Sequence, residues 1–342
     1  MILCLLLVSF IFCQQIYGTI PENIGENSDT ARTINNLYNK KKIRIVVTDS
    51  GLGGISVAAG LEEKLGEMKI FEKVEIIFFN SLPSAEYRYN ALPSNEEKAR
   101  IFNIALEKME EMYSPDIILI ACNTLSVVYP FTDFSKKKAT LVLGIVEFGV
   151  EQIIEEYIKN ENSSIILLGT KTTIESSDHQ MKLVSRGIDS NKIIGQVCVG
   201  LETEIQNSPQ SDIVKSMIEL YLDEAIGKVS ANKSKVIVSL CCSHYGFSAE
   251  IFNLTLKDLG IKDRVVLNPN EKMIEAIANN MYRNRFTETD VNVEVISRVE
   301  ITKEEKDSIS SIVAPYAKQT SNALQNYKLN PGLFNISEDK LK

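Results

Sequence analysis

DIILIACNT, residues 116–124, is an apolar run that stops at a cysteine followed by an amide and a hydroxyl. KVIVSLCCSHY, residues 235–245, repeats the arrangement, with a hydroxyl and a histidine after its last cysteine. Short continuous apolar runs closed by polar groups read as strands buried on both faces, the kind that build a parallel sheet under helices. Cys122 and Cys242 lie 242 − 122 = 120 residues apart. A second pair of strand ends, Asp49 in IRIVVTDSG and Thr170 in SIILLGTKTT, lies 170 − 49 = 121 apart. Two nearly equal spacings between like features predict two related α/β halves, each placing a strand end and a thiol at corresponding points.

The rest of the chain fits that frame. Compact apolar runs at 43–48, 74–80, 116–121, 140–146, 164–169, 235–240 and 264–267 alternate with amphipathic stretches. The fold class is therefore α/β, with two pseudo-symmetric, doubly wound parallel-sheet domains. Residues 95–112, 211–229 and 271–284 read as covering helices; the second carries a core-facing stripe from Ile213 to Ile226, with Asp212 as its cap. Residues 42–138 together with 246–300 form the expected first domain, discontinuous in sequence, and 139–245 the second. Beyond these, 301–342 reads as a helical extension, with a helical pattern over 303–327 and no catalytic motif.

A chain of 342 residues is long enough for two domains, and 44% hydrophobic with 24% charged residues is the balance of a globular protein. The net charge of −8 is scattered without basic runs, which excludes a nucleic-acid groove. Cys4, Cys13, Cys122, Cys198, Cys241 and Cys242 have neither zinc-ligand spacing nor the density of a disulfide framework, so no metal is expected. MILCLLLVSFIFC, residues 1–13, has the length of a signal-peptide core and is short for a membrane span. Residues 1–18 thus read as a signal peptide and 19–41 as a polar spacer, giving an exported protein with no stable membrane span after cleavage. The competing reading is a misassigned start and a cytoplasmic protein: no Lys or Arg precedes the apolar block, and Ile16 stands where a small residue is preferred.

In doubly wound sheets, ligands collect outside the carboxyl ends of the strands. Four such ends are rich in polar groups: Asp49-Ser50-Gly51, Cys122-Asn123-Thr124, Thr170 to Thr173, and Cys242-Ser243-His244. A lone cysteine at a strand end is more often a small buried hydrophobe than a nucleophile. Two thiols approaching one ligand from opposite sides have a specific use. One thiolate removes a proton from a carbon while the other thiol returns one to the opposite face, which inverts the centre. The glycines of DSGLGG bring backbone N–H groups toward an anion; without GxGxxG spacing or a following GK[ST], that anion is a substrate carboxylate rather than a nucleotide. A cysteine hydrolase built on Cys242 and His244 would need an orienting third residue, and none is apparent. His179 in SSDHQMK reads as a surface or cleft-edge residue, Cys198 as a buried strand residue, and Glu147 as a carboxylate at a helix N-terminus.

VVTDSGLGGISV, ACNTLS, GIVEFG, LLGTKTTIES and LCCSHY, in this order and spacing, resemble the cofactor-independent glutamate racemases of the aspartate/glutamate racemase superfamily. The resemblance covers about residues 42–284. It implies an active site between two α/β domains, a small amino-acid substrate, and no pyridoxal phosphate or other cofactor. Cys122 and Cys242 would be the acid/base thiols, with Asp49 beside the first and His244 beside the second. Ser50, Asn123, Thr124, Thr170, Thr173 and Ser243 would hold the substrate's amino and carboxylate groups. The family's Pro-Tyr-Gly turn is matched by Glu86-Tyr87-Arg88 or by Arg88-Tyr89-Asn90. The second is preferred because Asn takes a positive φ more readily than Arg, which adds Tyr89 and Asn90 to the site. Gln206 stands where the family has a glutamate, beside Cys242 and His244. Interconversion of L- and D-glutamate, a step that supplies peptidoglycan, is the implied activity. Aspartate or another amino acid is the alternative substrate, an exported amino-acid sensor without turnover is the alternative class, and a homodimer is compatible with all of these.

Overall fold

The computed structural model describes residues 35–137, 140–229 and 235–336, so the apolar N-terminal block and most of the spacer lie outside the described residues. The strands are β1 Lys42–Asp49, β2 Lys73–Asn80, β3 Ile117–Ile120, β4 Leu141–Gly144, β5 Ser163–Gly169, β6 Ile193–Val197, β7 Lys235–Cys241, β8 Arg264–Leu267, β9 Asp290–Ser297 and β10 Lys328–Leu329. They form two sheets, β10-β9-β2-β1-β3-β4 and β6-β5-β7-β8, with every neighbouring pair parallel. Along β1, Ile45 and Val47 face one hydrophobic core and Val46 the other, as expected of a strand covered by helices on both sides.

The duplication is visible in the strand order, since β2-β1-β3-β4 and β6-β5-β7-β8 have the same connectivity. Register agrees as well: Thr48 pairs with Ile120 and Gly169 with Cys241, offset by 169 − 48 = 121 and 241 − 120 = 121. The thiols differ by only 120 residues, so Cys242 follows directly on its strand register while Cys122 lies one residue further out. Each half ends its doubly wound order at the first and third strands, the crevice where such sheets bind ligands.

Several expectations change. β4 pairs with β3 and belongs to the first sheet, and β8 pairs with β7 in the second, although the sequence put each with the other half. In each case a parallel strand returns by a crossover to lie beside its predecessor, so each half closes only after its fourth strand. The C-terminal segment is also not purely helical. Its helices Lys303–Val313 and Lys318–Gln325 are separate, and β10 pairs with β9 at the edge of the first sheet. β6 was not foreseen; it is short and interrupted by Gly195. The helix Asp212–Ile226 is capped by Ser211, whose hydroxyl accepts from the Val214 N–H, rather than by Asp212. The helix expected over 271–284 runs from Pro269 to Ile277. Among the described residues no helix is long and apolar enough to cross a membrane.

The halves are joined by exchanged helices. Ile145–Tyr157, which follows β4, packs on the helix Asp178–Ser185 and on β7 of the second half; Pro269–Ile277, which follows β8, packs on Ile55–Met68 of the first. These two helices also lie against each other. A β-carbon on Gly149 would sit 3.2 Å from Pro269 Cγ, and Lys272 Nζ donates to Glu155 Oε1 at 2.6 Å. At the strand ends the approach is closer still: a β-carbon on Gly53 would lie 2.3 Å from Ser243 Oγ and 2.6 Å from the His244 backbone nitrogen. Gly53→Ala should therefore force these segments apart at a cost of about 1–3 kcal/mol, read as a lower urea midpoint with an unchanged m-value. An unchanged midpoint would show that the contact yields freely.

Candidate active site

β1 ends at Asp49, and the chain then turns through Ser50 and Gly51 toward the helix Ile55–Met68. Asp49 has no solvent exposure. Its Oδ1 accepts the Gly51 N–H at 3.1 Å, and its Oδ2 accepts the Ser243 hydroxyl from the other half at 2.6 Å. Burial pushes this carboxyl up to about 6; the hydrogen bonds from Ser243 and the backbone of Ser50, Gly51 and Gly54 only partly offset it.

Cys122 follows β3 as the N-cap of the helix Asn123–Val128, where its Sγ accepts from the Leu125 N–H at 3.5 Å. Ser50 Oγ lies 3.1 Å from Cys122 Sγ, so a hydroxyl from β1's end touches the first thiol. Burial, then the nearby charge of Asp49, pushes the Cys122 thiol up to about 12. Cys242 follows β7, with His244 Nδ1 3.7 Å from its Sγ. Burial, then Glu202 and more weakly Cys122 and Asp49, raises this thiol well above its ordinary range. Desolvation, then Arg88, lowers His244 to about 3, so its imidazole is neutral.

Both thiols line one cavity of about 230 Å³ between the ends of the two sheets. Asp49, Ser50, Ser243 and His244 line it beside them. On another wall the hydroxyls of Thr124 and Thr170 lie 2.9 Å apart, with Thr173 3.1 Å from Thr170. Asn123 is buried here with neither amide atom hydrogen-bonded, and an unpaired buried amide costs about 1–3 kcal/mol. Tyr89 and Asn90 close the mouth on a 3₁₀ turn, with Asn90 Oδ1 accepting from the Thr172 N–H at 3.4 Å. Every residue expected from sequence to touch the substrate thus lines one chamber, while Gln206 lies outside its lining.

The details depart from expectation. The Tyr89 turn needs no positive φ at Asn90, because a 3₁₀ turn is built from right-handed conformers. Asp49 is shared between the halves rather than serving Cys122 alone. Gln206 Oε1 does meet the second thiol's histidine, 2.9 Å from His244 Nε2. His179, expected near the surface, is buried with neither ring nitrogen hydrogen-bonded, and burial lowers it to about 4. Cys198 is buried one residue past β6, and Cys122, Cys198, Cys241 and Cys242 are free thiols.

Two charged residues of the chamber were missed. Arg88, the first residue of the Arg88-Tyr89-Asn90 turn, has no carboxylate paired with it among the described residues; its guanidinium donates a long 3.5 Å hydrogen bond to Thr203. Glu202 is raised by burial and lies near Arg88 and Cys242. It sits on the helix Leu201–Asn207, four residues before Gln206, so the helical period would have turned both toward one side.

No family model matches the chain. A glutamate racemase from Campylobacter jejuni is 30% identical over 183 residues, 52% of this chain and 66% of that relative. A glutamate racemase from Aquifex pyrophilus is 25% identical over 224 residues, 65% of this chain and 78% of that relative. The Campylobacter jejuni relative is thus spanned over slightly less than two thirds of its length. Among solved structures, a Campylobacter jejuni glutamate racemase superposes with a TM-score of 0.58 at 20% identity, covering 81% of this chain and 98% of that one. A Bacillus anthracis glutamate racemase isoform gives 0.59 at 18% identity, covering 85% and 96%. At such identities the structural likeness establishes the shared fold. In strand order, in its paired strand-end cysteines and over the matched stretches of sequence, the chain is similar to glutamate racemases.

Proposed function

We propose that the protein is a cofactor-independent racemase that interconverts L- and D-glutamate with Cys122 and Cys242 as opposed acid and base. The observation that carries this reading is that two free thiols, from corresponding strand ends of two like halves, line one chamber. One thiolate takes the α-proton, leaving the electron pair on carbon conjugated with the carboxylate, and the facing thiol returns a proton to the other side. Asn123, with its amide unpaired, and the Thr124, Thr170 and Thr173 hydroxyls suit the α-carboxylate. Asp49 supplies the negative charge that an ammonium group seeks. Arriving with its ammonium, the substrate also offsets the burial that keeps both thiols protonated in the empty site.

Arg88 suits the side-chain carboxylate, since among the described residues its guanidinium, at the chamber wall, makes no ion pair with a carboxylate. This arrangement favours glutamate, and Asp49 gives the site a pH signature. Its carboxyl is raised from 3.8 to about 6 in the folded protein, so between those values the folded state binds more protons than the unfolded one. The stability that Asp49 contributes is full below pH 3.8 and is lost as pH rises through about 6.

Three outcomes follow. In D₂O, each enantiomer of glutamate should gain α-deuterium and appear as its mirror image, and Cys122→Ala or Cys242→Ala should cut racemisation by about 10²-fold or more. Near-normal racemisation in both variants would end the two-thiol mechanism; exchange with aspartate alone would overturn the substrate, and binding without exchange the activity. Arg88→Ala should raise KM for glutamate by roughly tenfold or more, with a smaller change in kcat; an unchanged KM would remove Arg88 from recognition. Finally, the stability difference between Asp49→Asn and the unsubstituted protein, followed by urea unfolding, should shift in the variant's favour by on the order of 3 kcal/mol between pH 4 and pH 7. A flat difference would mean that Asp49 is not buried as a raised acid.

A further inference from the structure

The second thiol's histidine is connected to a carboxylate from the C-terminal segment. Gln206 is buried on the helix Leu201–Asn207. Its Oε1 accepts the Leu52 backbone N–H at 2.9 Å and lies 2.9 Å from His244 Nε2, while its Nε2 donates to Glu305 Oε1 at 2.5 Å. Which end of a glutamine amide is oxygen has to be inferred from its partners. Here the partners leave one solution. A backbone N–H can only donate, so the atom facing Leu52 is the oxygen, and the amide nitrogen faces the carboxylate.

The constraint passes on to the imidazole. An amide oxygen only accepts, so the ring nitrogen facing it carries the proton. A neutral imidazole has one N–H, so the other nitrogen, Nδ1, presents its lone pair to Cys242 Sγ at 3.7 Å. His244 is neutral, so this choice between tautomers exists.

Glu305 is itself held in place. It is the third residue of the helix Lys303–Val313, where its Oε2 accepts the Thr302 N–H at 2.9 Å and Thr302 Oγ1 accepts the Glu305 N–H at 3.2 Å. This reciprocal cap occupies one carboxylate oxygen and leaves the other for Gln206. Glu305 does not line the chamber that holds the thiols.

We propose that Glu305 is a positioning residue for the second thiol: through Gln206 it fixes His244 as the Nε2–H tautomer, so that Nδ1 is the hydrogen-bond acceptor aimed at Cys242. The catalytic consequence rests on the racemase reading; the tautomer itself does not.

The decisive variant is Glu305→Gln, because Thr302 N–H and Gln206 Nε2 face different oxygens of the Glu305 carboxylate, and an amide in its place puts oxygen at only one of those two positions. Keeping the cap turns its NH₂ toward Gln206, whose amide relieves that donor–donor contact by reversing, which gives up the Leu52 N–H and faces His244 with a donor. The compensating variant is Gln206→Glu combined with Glu305→Gln. Its carboxylate at 206 accepts from Leu52 and His244, the amide nitrogen at 305 donates to it, and the amide oxygen at 305 keeps the cap.

The chain has two histidines, so ¹⁵N-histidine labelling gives two ring systems, and His179→Gln assigns them. Long-range ¹⁵N–¹H spectra of the unsubstituted protein should show His244 protonated at Nε2 and bare at Nδ1. Glu305→Gln should move it toward the opposite tautomer or a mixture, and the double variant should restore it. On activity, Glu305→Gln should lower kcat roughly tenfold with KM little changed, and the double variant should recover most of that loss. An Nδ1–H tautomer in the unsubstituted protein, or an unmoved His244 in Glu305→Gln, overturns the proposal whatever the activity. A protein that follows the tautomer pattern yet racemises nothing leaves the positioning role standing and overturns the racemase reading instead.

Discussion

Asp49 is a carboxylate without solvent, and such a group persists only where donors replace water. Some of its donors are backbone groups of the turn that follows β1, and the shortest is the Ser243 hydroxyl from the opposite half. Neither half alone can satisfy it. The same few ångströms hold Gly53, whose missing side chain lets Ser243 and His244 come down onto the turn. Chamber, thiols and hydroxyl wall therefore exist as a site only with the two sheets end to end. Donors do not fully offset burial, so the carboxyl stays raised, and this stored cost sits where chemistry needs a negative charge.

The duplicated scaffold carries unequal equipment. The register offset of 121 residues is identical on both strand pairs, while the thiols are 120 apart, so one cysteine caps a helix and the other precedes a 3₁₀ turn. Ser50 serves the first thiol directly. The second lies beside an imidazole that is linked to an amide and then to a carboxylate 305 − 206 = 99 residues further along the chain. A symmetric fold thereby places two thiols in chemically different surroundings on one chamber.

How far the sequence could reveal this depends on where the information sits. Asp49, Cys122, Thr170 and Cys242 each end an apolar run, and parallel topology alone carries such ends to a common edge, so their meeting could be read from spacing. Arg88 and Glu202 belong to no strand end: one is on a turn, the other on a helix after β6, a strand whose Gly195 weakens its pattern. Glu305 looks like an ordinary capping-box residue, and only three-dimensional packing turns its second oxygen toward Gln206. The half boundaries were misjudged for a related reason. The Asp49/Thr170 and Cys122/Cys242 spacings mark the first and third strands of each half, whereas β4 and β8 are assigned by crossovers that leave no spacing signal.

The exchanged helices have a historical consequence. If the halves arose by copying one ancestral segment, that segment would have exposed the apolar faces that Ile145–Tyr157 and Pro269–Ile277 now cover on each other and on the opposite halves. Such a segment is incomplete as a monomer, and the arrangement that completes it is a twofold pair of identical chains trading their last helices. In that pair the two strand ends that carry the thiols would have been the same segment. Fusion into one chain freed each to change separately, so the unequal surroundings of Cys122 and Cys242 are differences that a symmetric ancestor had no means to encode.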